Sequence, residues 1–255
     1  MELKYKTELI SGNGGHTYIV DGNDNELYTG VSSILNVRAK EFMKWWTAKM
    51  VVEFLRDKQE TIKSLSAKDY ELLLDEAKKA HTKKSNKAKD SGKLAHDAIE
   101  TYIKIGEIKK IEDIEAQKAF DSFLKWEKTK NIKWLESELA VASKVYQYGG
   151  TIDAICEING EKILLDFKTS NQFSEETFLQ LAAYQLALSE QLENPKDLPI
   201  KRIILRIPKD GSDCEELIVP TELKFDIDTF LNLRQVYRWN LNIENNIKKD
   251  GKIKI

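Results

Sequence analysis

Hydrophobic and polar positions divide the chain into stretches of different period. Over residues 3–29 apolar and polar residues alternate, interrupted by the turn clusters Ser11-Gly-Asn-Gly-Gly15 and Asp21-Gly-Asn-Asp24, which predicts a small β-hairpin or meander. The segment Gly30-Val-Ser-Ser-Ile-Leu35 predicts a short helix capped by Ser32 or Ser33. From residue 40 the repeat becomes helical. Phe42, Trp45, Trp46, Met50, Phe54 and Leu55 form an apolar stripe over 40–57, and further helices are predicted over 66–81, 85–104 and 112–130. Beyond 130 the pattern changes again. Strands are predicted over 133–142 and 144–148, followed by two apolar, β-branched runs around Asn159-Gly160 that span 150–168. Ser174, followed by Glu175 and Glu176, opens a helix to about 193, where Asn194-Pro195 stops it. Strands over 201–207 and 215–219 and a final helix over about 223–247 complete the α/β pattern. The natural division is a hairpin and helical region over 1–130 and a second region over 131–255, together forming one compact unit.

Composition narrows the class. A chain of 255 residues can bury a substantial core without disulfides or metals. Charged residues are abundant but balanced at a net charge of −2, so any surface for a polyanion must be a local patch. Cys156 and Cys214 are the two cysteines, too few for a four-cysteine iron–sulfur cluster, and they suggest reduced thiols in an intracellular protein. The amino-terminal residues lack an apolar signal region, and no apolar run approaches membrane-spanning length. The expectation is a soluble cytoplasmic protein with no membrane partner.

The run around Asn159-Gly160 carries the chemistry. Asn-Gly between two apolar runs is the strongest short-range signal for a two-residue hairpin turn. Pairing outward from Ile158 opposite Glu161 brings Asp153 opposite Asp166 five steps later. Side chains directly across such a pair lie roughly 4.5–5.5 Å apart at Cβ. Lys168, two residues beyond Asp166, points to the same face. Like charges so placed destabilise a sheet unless a cation neutralises them, and hard oxygen ligands suit Mg²⁺ or Mn²⁺. Solvated acids on an exposed face would be the plainer explanation, but Ile163-Leu-Leu-Asp-Phe167 reads as a mostly buried strand.

Gly150-Thr-Ile-Asp153, Asp166-Phe-Lys168 and Gln180-Leu-Ala-Ala-Tyr184 together resemble the PD-(D/E)XK nuclease superfamily, most closely its RecB-like exonuclease branch. Ile152 stands where the family's name has proline, a departure usual in that branch. The resemblance implies a restriction-endonuclease-like core, a mixed central sheet flanked by helices, with an N-terminal helical region. It implies metal-dependent hydrolysis of DNA phosphodiesters. Asp153 and Asp166 would hold one or two Mg²⁺ or Mn²⁺ ions, with His96 and the Phe167 backbone carbonyl as further ligands, and Lys168 would position or activate the attacking water. His96 lies in a Gly92-x-x-x-His96 context that matches the branch, and Glu100 shares its helix face. A glutamate one strand before the hairpin completes the acidic cluster in relatives; Glu138 is favoured here, although Glu136 shares its face. Gln180 and Tyr184 would contact phosphate or steady the lysine, with Tyr184 equally suited to core packing.

Residues 78–93 hold seven lysines and one acid, and Lys83, Lys84, Lys87, Lys89 and Lys93 suit contact with a phosphate backbone. A solvated helix face is the alternative. Trp45 or Trp46 could stack bases, while Trp126, Trp134 and Trp239 read as core. The lysine-rich stretch 248–254 reads as a tail. The order of Gly30-Val-Ser-Ser-Ile-Leu35, a tryptophan-bearing helix, G-x-x-x-H and the nuclease motifs is similar to phage-type exonucleases and mitochondrial genome maintenance exonucleases. That similarity implies action on the ends of single-stranded DNA in repair, recombination or phage replication. An endonuclease, a duplex-end exonuclease and a catalytically silent nucleic-acid-binding module remain the alternatives.

Overall fold

The computed structural model describes residues 1–12, 15–38 and 41–250, less the side chains of 11, 12, 15, 41, 42 and 245–250. The centre of the glycine-rich turn at 11–15, the Phe42 side chain and the lysine-rich tail therefore lie wholly or partly outside the described residues. The chain forms two compact units, Met1–Arg38 with Ala95–Ile255, and Ala39–Leu94.

In the larger unit the amino-terminal meander comprises β1 (Thr7–Gly12), β2 (Gly15–Val20) and β3 (Asn23–Gly30), followed by the short helix α1 (Val31–Leu35). Gly30 is its N-cap and supplies no side-chain bond, so Ser32 and Ser33 lie inside the helix rather than capping it. The smaller unit contains α2 (Glu41–Asp57), α3 (Gln59–Ile62) and α4 (Ala67–Lys78); Ser66 caps α4 by accepting from the Asp69 N–H. Helix α5 (Ala80–Ile105) contributes its first half to the smaller unit and its second half to the larger.

The larger unit continues with α6 (Ile114–Lys128), β4 (Ile132–Ser143), β5 (Tyr148–Ile158), β6 (Glu161–Lys168), α7 (Glu175–Gln191), β7 (Lys201–Arg206), β8 (Glu215–Ile218) and α8 (Leu223–Asp250). The predicted separate strand at 144–148 does not form. Residues 144–147 are the turn between β4 and β5, with Gln147 at φ +50°. The eight strands make one mixed sheet. β4, β5 and β6 are antiparallel neighbours, and β6 and β7 run parallel, joined by the crossover helix that parallel pairing requires.

Both sheet faces are covered. Ile152, Ile155 and Leu164 pack with Leu181, Leu188 and Phe230 on the side of α1, α7 and α8. Ala154, Ile163, Leu165 and Phe167 pack with Ile99, Phe120 and Phe123 on the side of α5 and α6. This explains why 163–167 is a continuous apolar run rather than an alternating one. The fold is α/β, a mixed central sheet flanked by helices, consistent with a restriction-endonuclease-like core. Trp126 is buried as expected, and Trp134 partly so. Trp239 is not a core residue; it is 63% exposed on α8, past the point where that helix packs on the sheet. No helix among the described residues is long and apolar enough to cross a membrane.

Candidate active site

The site sits where β5 and β6 part. Asn159 (φ +52°) and Gly160 (φ +83°) both take left-handed backbone, as a type I′ hairpin turn demands. Pairing runs outward from Ile158↔Glu161 in the expected register as far as Ala154↔Leu165. There it stops. One edge of β5 is held by β4 throughout, while β6 is drawn away into six parallel pairs with β7, from Ile163↔Lys201 to Lys168↔Arg206. The edge of β5 that β6 leaves is taken up again by β3 at Thr29↔Tyr148 and Gly30↔Gly149. Residues 150–153 thus face a gap in the sheet. The Phe167 N–H, next in the hairpin ladder, donates instead to Asp153 Oδ2 at 2.6 Å. Asp153 and Asp166 are therefore not a cross-strand pair as the simple register predicts: Asp153 reaches across the fork to the β6 backbone, and Asp166 lies one step behind it.

Tyr184 fills part of the fork. A Cβ on Gly150 would lie 2.1 Å from Tyr184 Cε1, so the glycine of the Gly-x-x-Asp motif is required by close approach of the ring. Gln180 Nε2 donates to the Tyr184 hydroxyl at 2.7 Å, fixing the ring from the next turn of α7. Burial pushes the Tyr184 phenol well above its ordinary range.

Glu138 arrives through an irregular strand. The register of β4 shifts between Trp134 and Glu136, leaving Leu135 as an extra residue. Pairs Ser137↔Ala154 and Leu139↔Ile152 then set Glu138 abreast of Asp153. Glu138 has φ +52°, a conformation costing a non-glycine residue about 1–2 kcal/mol. Glu136 accepts from the Met1 ammonium at 3.0 Å and is engaged elsewhere.

His96 projects from α5, its ring edge-on to Phe167 at 6.1 Å and Nδ1 4.0 Å from Asp153 Oδ2. One ligand atom each from His96, Glu138 and Asp153 lie within 4.8 Å of one another, close enough to share a divalent cation. Asp166 is outside this trio. It is 1% exposed, with Lys168 Nζ 2.5 Å from Oδ2. The two form a buried ion pair, and Oδ1 has no hydrogen-bond partner among the described residues. Glu100 is also outside the trio, paired with Lys104 at 2.5 Å.

The electrostatics show an excess of acid. Burial, followed by the charges of Asp153 and Glu100, pushes Glu138 up to about 8. Burial pushes Asp166 up to about 7; Lys168 opposes the shift and Asp153 adds to it. Burial pulls the Lys168 ammonium down, but Asp166 and Asp153 outweigh it and hold the group protonated. Two carboxyls that resist ionising beside a nitrogen and a carboxylate donor form a set that a divalent cation would satisfy.

The remaining expected residues belong to the smaller unit. Lys83, Lys84, Lys87, Lys89 and Lys93 are exposed along α5, with Lys84 3.8 Å from Glu53. Trp45 is 79% exposed on α2, while Trp46 stands edge-on to His81 at 6.3 Å. Tyr18 and Thr151 were not legible as site neighbours. The Tyr18 hydroxyl lies 3.1 Å from Thr151 Oγ1 beside the gap, and its ring lies against Gly149, because the meander joins β5. No local pattern marks either residue.

Residues 66–246, more than half of the chain, match the PD-(D/E)XK nuclease superfamily, and the chain belongs to it. No curated protein matches it. Among solved structures it is similar to one described as the crystal structure of SSO0001, at 16% identity over 82% of this chain and 74% of that one. The TM-score is 0.36.

Proposed function

We propose that the protein is a Mg²⁺- or Mn²⁺-dependent deoxyribonuclease of the RecB-like branch, an exonuclease acting on ends of single-stranded DNA in repair, recombination or phage replication. The observation that carries the reading is the fork. His96, Glu138 and Asp153 converge within 4.8 Å beside a buried Asp166 that is ion-paired with Lys168. The branch assignment is supported by Gln180 and Tyr184 on α7 and by His96 on α5.

His96, Glu138 and Asp153 would hold the cation, with Asp166 and the Phe167 carbonyl completing its surroundings. When bound, such an ion polarises the phosphoryl oxygen and lowers the pKa of water. A histidine among the donors favours Mn²⁺ at least as much as Mg²⁺. Asp153, already fixed by the Phe167 N–H, presents its carboxylate without reorganising. Lys168 acts as a cation: its protonated ammonium orients the attacking water and offsets charge gathering on the phosphate. Gln180 and Tyr184 brace the wall beside Gly150. Lys83, Lys84, Lys87, Lys89 and Lys93 would bind the DNA backbone, and exposed Trp45 would stack a base. The free cysteines Cys156 and Cys214, whose thiols burial pushes up to about 12, suit a reducing cytoplasmic setting.

The test is a time course on end-labelled linear and on circular single-stranded DNA with Mg²⁺, Mn²⁺ or chelator. The proposal expects metal-dependent loss of the linear strand and an intact circle. Cleavage of the circle would replace the exonuclease with an endonuclease on the same core. No metal-dependent loss of any DNA would leave a binding module.

A further inference from the structure

Near its start α8 is well buried, with Asp226 at 2% and Phe230 at 0% exposure, but Val236, Trp239 and Leu241 further along are open to solvent. Two recesses meet along this later stretch. The larger, about 720 Å³, is walled by Tyr146, Gln235, Trp239 and Asn242; the smaller, about 140 Å³, reaches Thr29 and Gln147. Arg234 and Arg238, one helical turn apart, line both.

These arginines differ from the others of the larger unit. Arg38, Arg202 and Arg206 each face a carboxylate, from Glu175, Asp226 and Glu215 respectively. Arg234 and Arg238 make neither a hydrogen bond nor an ion pair with any described residue. Among the described residues no acidic side chain lines either recess, although the chain holds 42 acids to 40 lysines and arginines. Burial, and then the charge of Arg238, pulls Arg234 below its ordinary range. Two adjacent guanidinium groups without a counter-charge call for an anion. Guanidinium forks match phosphate oxygens. The exposed indole of Trp239 and the amides of Gln235 and Asn242 add a stacking surface and polar contacts beside them, the combination that holds single-stranded nucleic acid.

The geometry points to a second DNA contact on α8, a single-strand groove in which Arg234 and Arg238 bind backbone phosphates and Trp239 stacks a base. The groove is lined by Gln147, the last residue of the turn before β5, and Asp153 follows six residues later, roughly 20 Å along an extended strand. A strand could therefore rest in the groove while its end lies in the fork. This inference deepens the nuclease reading and rests on it.

The experiment measures fluorescence anisotropy of a labelled oligothymidine with the full chain in chelator, over a salt series. It compares wild type, Arg234→Gln/Arg238→Gln and the charge-retaining Arg234→Lys/Arg238→Lys. The glutamine pair should weaken binding about tenfold and lower the salt slope by about 1.4, two phosphate contacts at about 0.7 each on a single strand. The lysine pair should keep the wild-type slope. Trp239→Leu should weaken binding with its slope unchanged. Metal-dependent hydrolysis of a dinucleotide, too short to reach the groove, should be the same in all of them. If wild type binds and cuts DNA while the glutamine pair binds with unaltered affinity and slope, the groove inference is wrong and the nuclease reading stands. If wild type neither binds nor cuts DNA, the nuclease reading fails and the groove inference with it.

Discussion

The two ends of the β5–β6 hairpin obey opposite rules. At the Asn159-Gly160 end the residues follow local chemistry: left-handed turn positions, regular register and a Glu157–Lys162 pair of opposite charge across the strands. At the other end the strands part, Glu138 is held in left-handed backbone, and Asp153 accepts an N–H that a strand carbonyl would otherwise take. The regular end supports the irregular one. β4 holds β5, β7 holds β6, and the acids collect in the space between. Strained and under-satisfied groups persist only where the surroundings over-determine them, which is the fork and not the turn.

The strongest way to break this contrast is to remove the acids. Asp153→Asn, Asp166→Asn and Lys168→Ala should each bring DNA hydrolysis to background with the fold retained, read by end-labelled DNA and circular dichroism. Wild-type turnover in any of the three would detach the chemistry from the fork.

Next in size is a pH effect confined to the fork. Carboxyls raised to about 7 and about 8 bind protons more tightly folded than unfolded. Their contribution to stability is therefore fully present only below their ordinary values of 3.8 and 4.5 and is lost progressively as pH rises from there to about 7 and about 8. Metal-free protein should lose melting temperature across that window, and Mn²⁺ should restore it, because the cation favours the charged forms. Titration calorimetry should show proton release on Mn²⁺ binding at pH 7 and weaker apparent affinity at pH 6. Binding that does not vary with pH would mean that these carboxyls are not displaced by the ion.

Glycine substitutions set the two ends side by side. Gly150→Ala drives a Cβ into Tyr184 and should cost about 1–3 kcal/mol in urea denaturation, together with most of the activity. Gly160→Ala meets no atom within 4 Å but sits at φ +83°, so it should cost about 1–2 kcal/mol and leave activity intact. Equal activity in both would mean that the fork tolerates displacement. The smallest expected effect is at the lysines. Lys83→Ala/Lys84→Ala/Lys87→Ala should lower the salt slope of single-strand binding by about 2 while turnover at saturating DNA is unchanged.

Much of this was readable residue by residue. Asn159-Gly160 announced the turn and its register, and the apolar run 163–167 announced a strand buried on both faces. The Gly-x-x-Asp, Asp-x-Lys and Gln-x-x-x-Tyr motifs, through the resemblance they carry, picked out Asp153, Asp166, Lys168, Gln180 and Tyr184, but not the fork between the strands, since simple register sets Asp153 opposite Asp166. The choice between Glu136 and Glu138 was not readable, because it depends on an extra residue in β4 and on the contact of Glu136 with Met1. Trp239 misled for a related reason: its apolar character says nothing about where α8 leaves the sheet.

By itself the sequence determined the elements, the hairpin register and the kinds of group available for chemistry, since turn preference and hydrophobic period act over a few neighbouring residues. Only the tertiary structure decided where β5 and β6 separate, which glutamate turns inward, and that Tyr18 and Thr151 meet beside the gap. Those outcomes come from competition among β3, β4, β6 and β7 for the two edges of β5 and β6, and strands far apart in sequence compete only once the sheet is assembled.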